Sequence, residues 1–166
     1  MKAVILGTLL ALGASTAASA QSYNPDRELN HFTRSALKAT LTELGASATE
    51  RDGKPNISVE FSNGLKADVL LMACDDQDTS NNCLATSILA TFAAPSNGTS
   101  EHVREAINRY NGTQNFGRAY LTDAGTITLR TYIIADGGVS MSNYRSQMGL
   151  FAISAKKFAE YLYDKS

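Results

Sequence analysis

No stretch of this 166-residue chain carries a recognisable reaction centre. It has no G-x-S-x-G, no H-E-x-x-H and no glycine-rich phosphate loop, so the usual hydrolase, zinc-protease and nucleotide-binding signatures are missing. Histidine is scarce: His31 and His102 are the only two, and neither sits beside a triad or metal signature. No basic run occurs and the formal net charge is −1, which excludes the electrostatic footprint of a nucleic-acid binder. Beyond residues 1–20 there is no second long apolar run to span a bilayer. Cysteine is limited to Cys74 and Cys83, whose spacing matches no zinc site and which have no histidine near them. Internal repeats, low-complexity tracts and domain linkers are also lacking, so one domain is expected.

What is present begins with a leader. Met1-Lys2 is a short positive start, Ala3 to Leu12 is almost unbrokenly apolar, and Ala18-Ser19-Ala20 puts small residues where signal peptidase reads them. Residues 1–20 therefore read as a signal peptide, cleaved between Ala20 and Gln21, with residues 21–166 as the exported domain. A membrane anchor is the weaker reading, because spanning takes about 20 apolar residues and Gly13 to Ser19 dilutes the run. No cysteine follows the cleavage point, so no lipid anchor is expected there. The expected location is the bacterial periplasm, or the medium, without membrane insertion after cleavage. In an oxidising compartment the Cys74 and Cys83 pair reads first as a disulfide, the alternative being two unrelated buried thiols.

Periodicity supplies the elements. Asn24-Pro25-Asp26 reads as the start of a helix whose stripe is Leu29, Phe32, Leu37, Leu41 and Leu44, ended by Gly45. Ala48 to Glu50 is a weak strand candidate. From Ile57 the period becomes two, and a three-residue loop with Gly64 left-handed pairs Phe61 with Leu65, Val59 with Ala67 and Ile57 with Val69. That register keeps one face apolar, whereas a two-residue turn would oppose Val59 to Asp68. The inner face continues through Leu71 and Ala73 and, if Cys74 faces Cys83, onto Leu84, Ile88, Ala90 and Phe92. A second helix runs from Ser100 through Tyr110 to a stop at Asn111-Gly112. A last hairpin turns at Asp123-Ala124-Gly125, with Ala119, Leu121, Ile127, Leu129 and Ile133 inward. The final helix starts at Ser140 and carries Met141, Tyr144, Met148, Phe151, Ala155, Phe158 and Leu162 along one stripe. These elements predict an α+β fold: an antiparallel sheet of about five strands with helices on one face, in the order α-β-β-β-α-β-β-α.

Four strings in this order, Gly64-Leu65-Lys66-Ala67-Asp68-Val69-Leu70, Ala106-Ile107-Asn108-Arg109-Tyr110-Asn111, Phe116-Gly117-Arg118-Ala119-Tyr120-Leu121 and Gly137-Gly138-Val139-Ser140, resemble the YbjN family of bacterial sensory-transduction regulators. The resemblance covers nearly the whole domain. It implies a fold similar to type III secretion chaperones, which commonly dimerise and bind extended peptide. It implies a binding module with no catalytic residues to carry over. The leader is a departure from a cytosolic regulator and argues against a direct role in transcription.

The candidate chemistry is correspondingly thin. His31 and His102 read as ordinary helix residues, and Asp75-Asp76 as a solvated hairpin tip. Asp76, Asp78, Ser80 and Asn82 alternate like a calcium loop, but Asn81 and Ser87 occupy the places that need Gly and Glu. No metal site or cofactor is expected. The outer sheet face is the better candidate: Arg118, Tyr120, Arg130 and Tyr132 offer cation and aromatic contacts, and Leu70, Met72 and Leu89 an apolar island. The expected function is an exported, non-enzymatic protein- or peptide-binding domain, chaperone-like or regulatory, able to form a homodimer. The competing expectation is a small hydrolase or ligand-sensing enzyme with a site assembled from scattered residues.

Overall fold

Two-residue periodicity builds the centre of the molecule. A computed structural model describes residues 22–96 and 98–163; the expected leader and its expected cleavage point at Ala20–Gln21 lie outside the described residues. In chain order the elements are β1 (Glu28–Leu29), α1 (Arg34–Glu43), β2 (Ser47–Glu50), β3 (Ile57–Glu60), β4 (Lys66–Met72), β5 (Ala85–Phe92), α2 (Ser100–Thr113), β6 (Arg118–Leu121), β7 (Ile127–Ile134), β8 (Val139–Ser140) and α3 (Met141–Tyr163). The main sheet is antiparallel with six strands in the order β2-β3-β4-β5-β7-β6, and β1 pairs with β8 in a separate two-stranded ribbon. The sheet thus has one strand more than expected, because β2 is a real edge strand.

The β3–β4 register is the one predicted, with Ile57 opposite Val69 and Val59 opposite Ala67. Gly64 sits at φ +81°, where a side chain would be strained, and its N–H donates to the Phe61 carbonyl. The β4–β5 pairing brings Cys74 opposite Cys83, and the two are joined by a disulfide. Ala73, expected on the inner face, is instead exposed at φ +52°, because the chain leaves the strand after Met72 to enter that loop. Leu84 and Leu121 are likewise exposed, at 37% and 39%, Leu84 just before β5 and Leu121 at the last residue of β6.

The three helices cover one sheet face. All seven residues of the α3 stripe are buried, and they meet Val69, Ile88, Leu129 and Ile133 in a single core. Ser140 caps α3 as expected, its Oγ accepting from the Asn143 N–H at 3.1 Å. The first helix is shorter than expected. Asn24 closes a turn, accepting from the Asp26 and Arg27 N–H groups, and Glu28–Leu29 then pair with β8 before Thr33 caps α1. Leu29 and Phe32 are buried all the same, from an extended segment rather than a helix. The second helix is longer than expected. It passes through Asn111-Gly112 to Thr113, and the Asn111 amide bridges the N–H and C=O of Ala119 on the free edge of β6. That side chain occupies the bonds a further strand would use.

Two buried phenols tie the helices to their neighbours. Tyr144 stacks on Phe32 at 4.2 Å between ring centres and shares a 2.8 Å hydrogen bond with Thr86. Tyr110 and Ser154 share one of 2.6 Å. Burial pushes both phenols above the ordinary tyrosine range, against the smaller opposing effect of those bonds. A folded-state pKa raised above the unfolded value, about 10, means stability is intact below that pH and declines as pH rises above it. Alkaline titration followed by circular dichroism and phenolate absorbance should show these two groups ionising together with loss of structure. In Tyr144→Phe, less of the stability should depend on pH in that range.

A bare sheet face as the candidate binding site

The face opposite the helices is described by cross-strand rows. In one row Thr49, Ser58, Asp68, Leu89, Arg130 and Arg118 stand side by side from β2 to β6. The next holds Leu70, Ser87 and Tyr132, and the one beyond it Met72, Ala85 and Ile134. On the other side of the first row, Thr91, Thr128 and Tyr120 align, as do Ser47, Glu60 and Lys66. Strand alternation therefore brings all seven predicted surface residues to one face. Leu70, Met72, Leu89, Tyr120 and Arg130 are half-buried among their neighbours, while Arg118 and Tyr132 are exposed.

Two features of this face went unread in the sequence. Ile134, 54% exposed, extends the apolar island beyond Met72 to the end of β7. Continuing the alternation past Tyr132 by two residues would have found it. The second is an open depression of about 530 Å³ over β2 to β5, lined by Thr49, Glu60, Lys66, Asp68, Leu89 and Thr91 among others. It depends on β2, whose residues are all exposed and carry no legible alternation.

Charge is divided across the face. On the β2–β4 side, Asp68 Oδ1 accepts from Arg51 Nη2 at 3.1 Å, Asn56 Nδ2 at 2.8 Å and Ser58 Oγ at 2.9 Å. Glu60 has only a long, exposed contact to Lys66 at 3.8 Å. On the β6–β7 side, Arg118 and Arg130 lie directly opposite each other, with no acid among the described residues paired to either. Like charges facing across a strand pair cost stability, so this pair favours an incoming anion or a polar cover. Arg130 lies over the Tyr132 ring at 5.4 Å and donates to its hydroxyl at 3.0 Å, but its buried Nε has no partner.

The remaining candidates are structural. His31 lies in an exposed bend rather than on a helix, because the first helix starts three residues later. His102 is in the first turn of α2 and its Nε2 donates to the Leu162 carbonyl at 3.0 Å, linking α2 to α3. In the loop between the cysteines, Asp76 accepts from Thr79 Oγ1 and from the Asp78 N–H, and the Thr79 bond holds its carboxyl below the usual range. Asp75 is held by Asn82. Among the described residues no group of three His, Cys, Asp or Glu side chains is placed to hold a metal ion, and no helix is long and apolar enough to cross a membrane.

Residues 33–164 match a family profile, YbjN, described as "Putative bacterial sensory transduction regulator". The chain belongs to the YbjN family. The crystal structure of YbjN from E. coli has the same fold: TM-score 0.52 at 14% identity, covering 76% of this chain and 85% of that one. Among curated proteins none matches. The family is thus one of regulators by description, and its fold has a mixed α/β architecture with an antiparallel sheet. Two of the strings by which the chain resembles YbjN proteins carry Lys66, Asp68, Leu70, Arg118 and Tyr120 onto the bare face, and a third supplies Asn111 at the β6 edge.

Proposed function

We propose that this YbjN-family protein is an exported, non-enzymatic regulatory module that binds a protein or peptide on the bare face of its sheet. The observation that carries the reading is the composition of that face. Leu70, Met72, Leu89, Tyr132 and Ile134 are left uncovered beside two unpaired arginines, while three helices crowd the other side. Apolar residues ringed by polar ones mark interaction surfaces, and Tyr and Arg are the side chains that most often dominate them. Export is supported by the leader at residues 1–20 and by the Cys74–Cys83 bond, which an oxidising compartment sustains.

A photo-crosslinking amino acid in place of Tyr132, 50% exposed on the face, tests the binding reading in cells. The same amino acid at Ile153, exposed on α3, is the control. Adducts to a protein from position 132 and none from position 153 are expected; no adduct from position 132 would contradict the reading. The intact mass of the protein from the periplasm should correspond to a chain starting at Gln21. Recovery of the uncleaved chain from the cytoplasm would refute export.

A further inference from the structure

We propose that the occupant of the bare face is an acidic, extended segment of another protein, with a carboxylate over the Arg118 and Arg130 pair and apolar side chains over the island beside it. This rests on the reading of that face as a binding surface and adds the chemistry of the partner. The charged side chains of the face are the acids Glu60 and Asp68 and the bases Arg51, Lys66, Arg118 and Arg130. Four bases against two acids leave it at +2, on a chain whose formal net charge is −1. Both acids already have a cation: Arg51 donates to Asp68 at 3.1 Å, and Lys66 lies 3.8 Å from Glu60. The excess is therefore gathered at one end of the sheet, on the two arginines that face each other across β6 and β7. Arg118 is exposed and makes no ion pair or hydrogen bond among the described residues. Arg130 is held in place by the Tyr132 hydroxyl, to which its Nη1 donates at 3.0 Å. A carboxylate suits this pair, since a guanidinium presents a planar fork of N–H donors to it.

Spacing sets the rest of the ligand. Alternate residues of a strand stand about 7 Å apart on one face, twice the rise per residue. The row of Leu70 and Tyr132 thus lies about 7 Å from the arginines, and the row of Met72 and Ile134 about 14 Å from them. An extended segment laid along β7 has the same rise. When one of its acids meets the arginines, large apolar residues two and four positions away meet these two rows, where Tyr132 and Ile134 are exposed. A flat anionic membrane fits less well. Basic clusters that hold to lipid gather about four to eight Lys or Arg, and here Glu60 and Asp68 share the surface and would meet the lipid phosphates. A peptide can confine its charge to the arginine end.

A peptide array tests the chemistry. The probes are terminally blocked heptapeptides of serine in which the second, fourth and sixth positions are each varied among Glu, Lys, Phe, Leu and Ser. Labelled protein should bind best to those with Glu at one end of the varied triplet and Phe or Leu at its other two positions. Arg118→Glu should weaken binding of the best acidic peptide by about tenfold or more. It should also gain affinity for the same peptide with Lys in place of Glu, a gain that a misfolded protein would not show. Since this variant sets a carboxylate opposite Arg130, its melting temperature should equal or exceed that of the wild type. Lys-bearing or uncharged peptides bound as well as acidic ones, or no peptide bound above the all-serine background, would overturn the acidic partner. So would sedimentation with vesicles of phosphatidylglycerol and phosphatidylethanolamine that is lost in Arg118→Glu, which would assign the arginines to a membrane. In cells, an adduct at position 132 that persists unchanged in Arg118→Glu defeats the acidic assignment alone; with no adduct in either protein, the binding reading fails too.

Discussion

Phe158→Ala should destabilise the protein by about 3–5 kcal/mol, the cost of truncating a buried aromatic whose site cannot collapse. Phe158 is fully buried near the end of α3, with its ring edge-on to Phe92 of β5 at 5.0 Å and to Tyr110 of α2 at 5.2 Å. One side chain therefore joins the helix, the sheet and the second helix, and none of these neighbours can move in without leaving its own contacts. Against a typical net stability of about 5–15 kcal/mol, the loss is large enough to lower the urea midpoint severely. The same truncation at Ile153, 67% exposed on the same helix, should change stability by less than about 0.5 kcal/mol. Equal effects at the two positions would mean that α3 does not pack as described.

Opening the Cys74–Cys83 bond should cost about 2–3 kcal/mol, from the chain entropy released by a loop of about ten residues. Its position adds a structural consequence. Cys83 exchanges backbone hydrogen bonds with Phe32, at 2.7 and 3.0 Å, and Phe32 stacks on Tyr144. The bond thus steadies the hairpin end on which the segment before α1 is laid. Thermal melting with and without reductant, and of the Cys74→Ala/Cys83→Ala double variant, should show matching losses. Thiol labelling before and after reduction reports the bond itself: two freely labelled thiols in protein from an oxidising compartment would refute it.

Legibility in the sequence followed the range of the interactions. The β3–β4 register was readable because a Gly at the left-handed position and an alternating apolar face agree on one answer. The α3 stripe was readable because a long helix repeats its period often enough to be unambiguous. The start of α1 was not. Asn24-Pro25-Asp26 has the residues of a helix start and of a turn alike, and the pairing of Glu28 with Ser140 far along the chain decides between them. Asn111-Gly112 reads as a stop, yet α2 continues because the Asn111 side chain is engaged with Ala119. Strand β2 carries four exposed residues, Ser47 to Glu50, and exists through its pairing with β3. The bare face was legible where alternation runs through long strands, and its depression was not, because β2 forms one of the walls.

Met72 reports directly on whether that face is a contact surface. It is half-buried on the face, whereas Met141 and Met148 are fully enclosed in the core and serve as internal references. Hydroxyl-radical oxidation of the protein in cells and, purified, after strong dilution should show Met72 shielded in the first condition and oxidised in the second, with Met141 and Met148 protected in both. Met72 oxidised at the same rate in both would contradict the assignment of the bare sheet face as the binding surface.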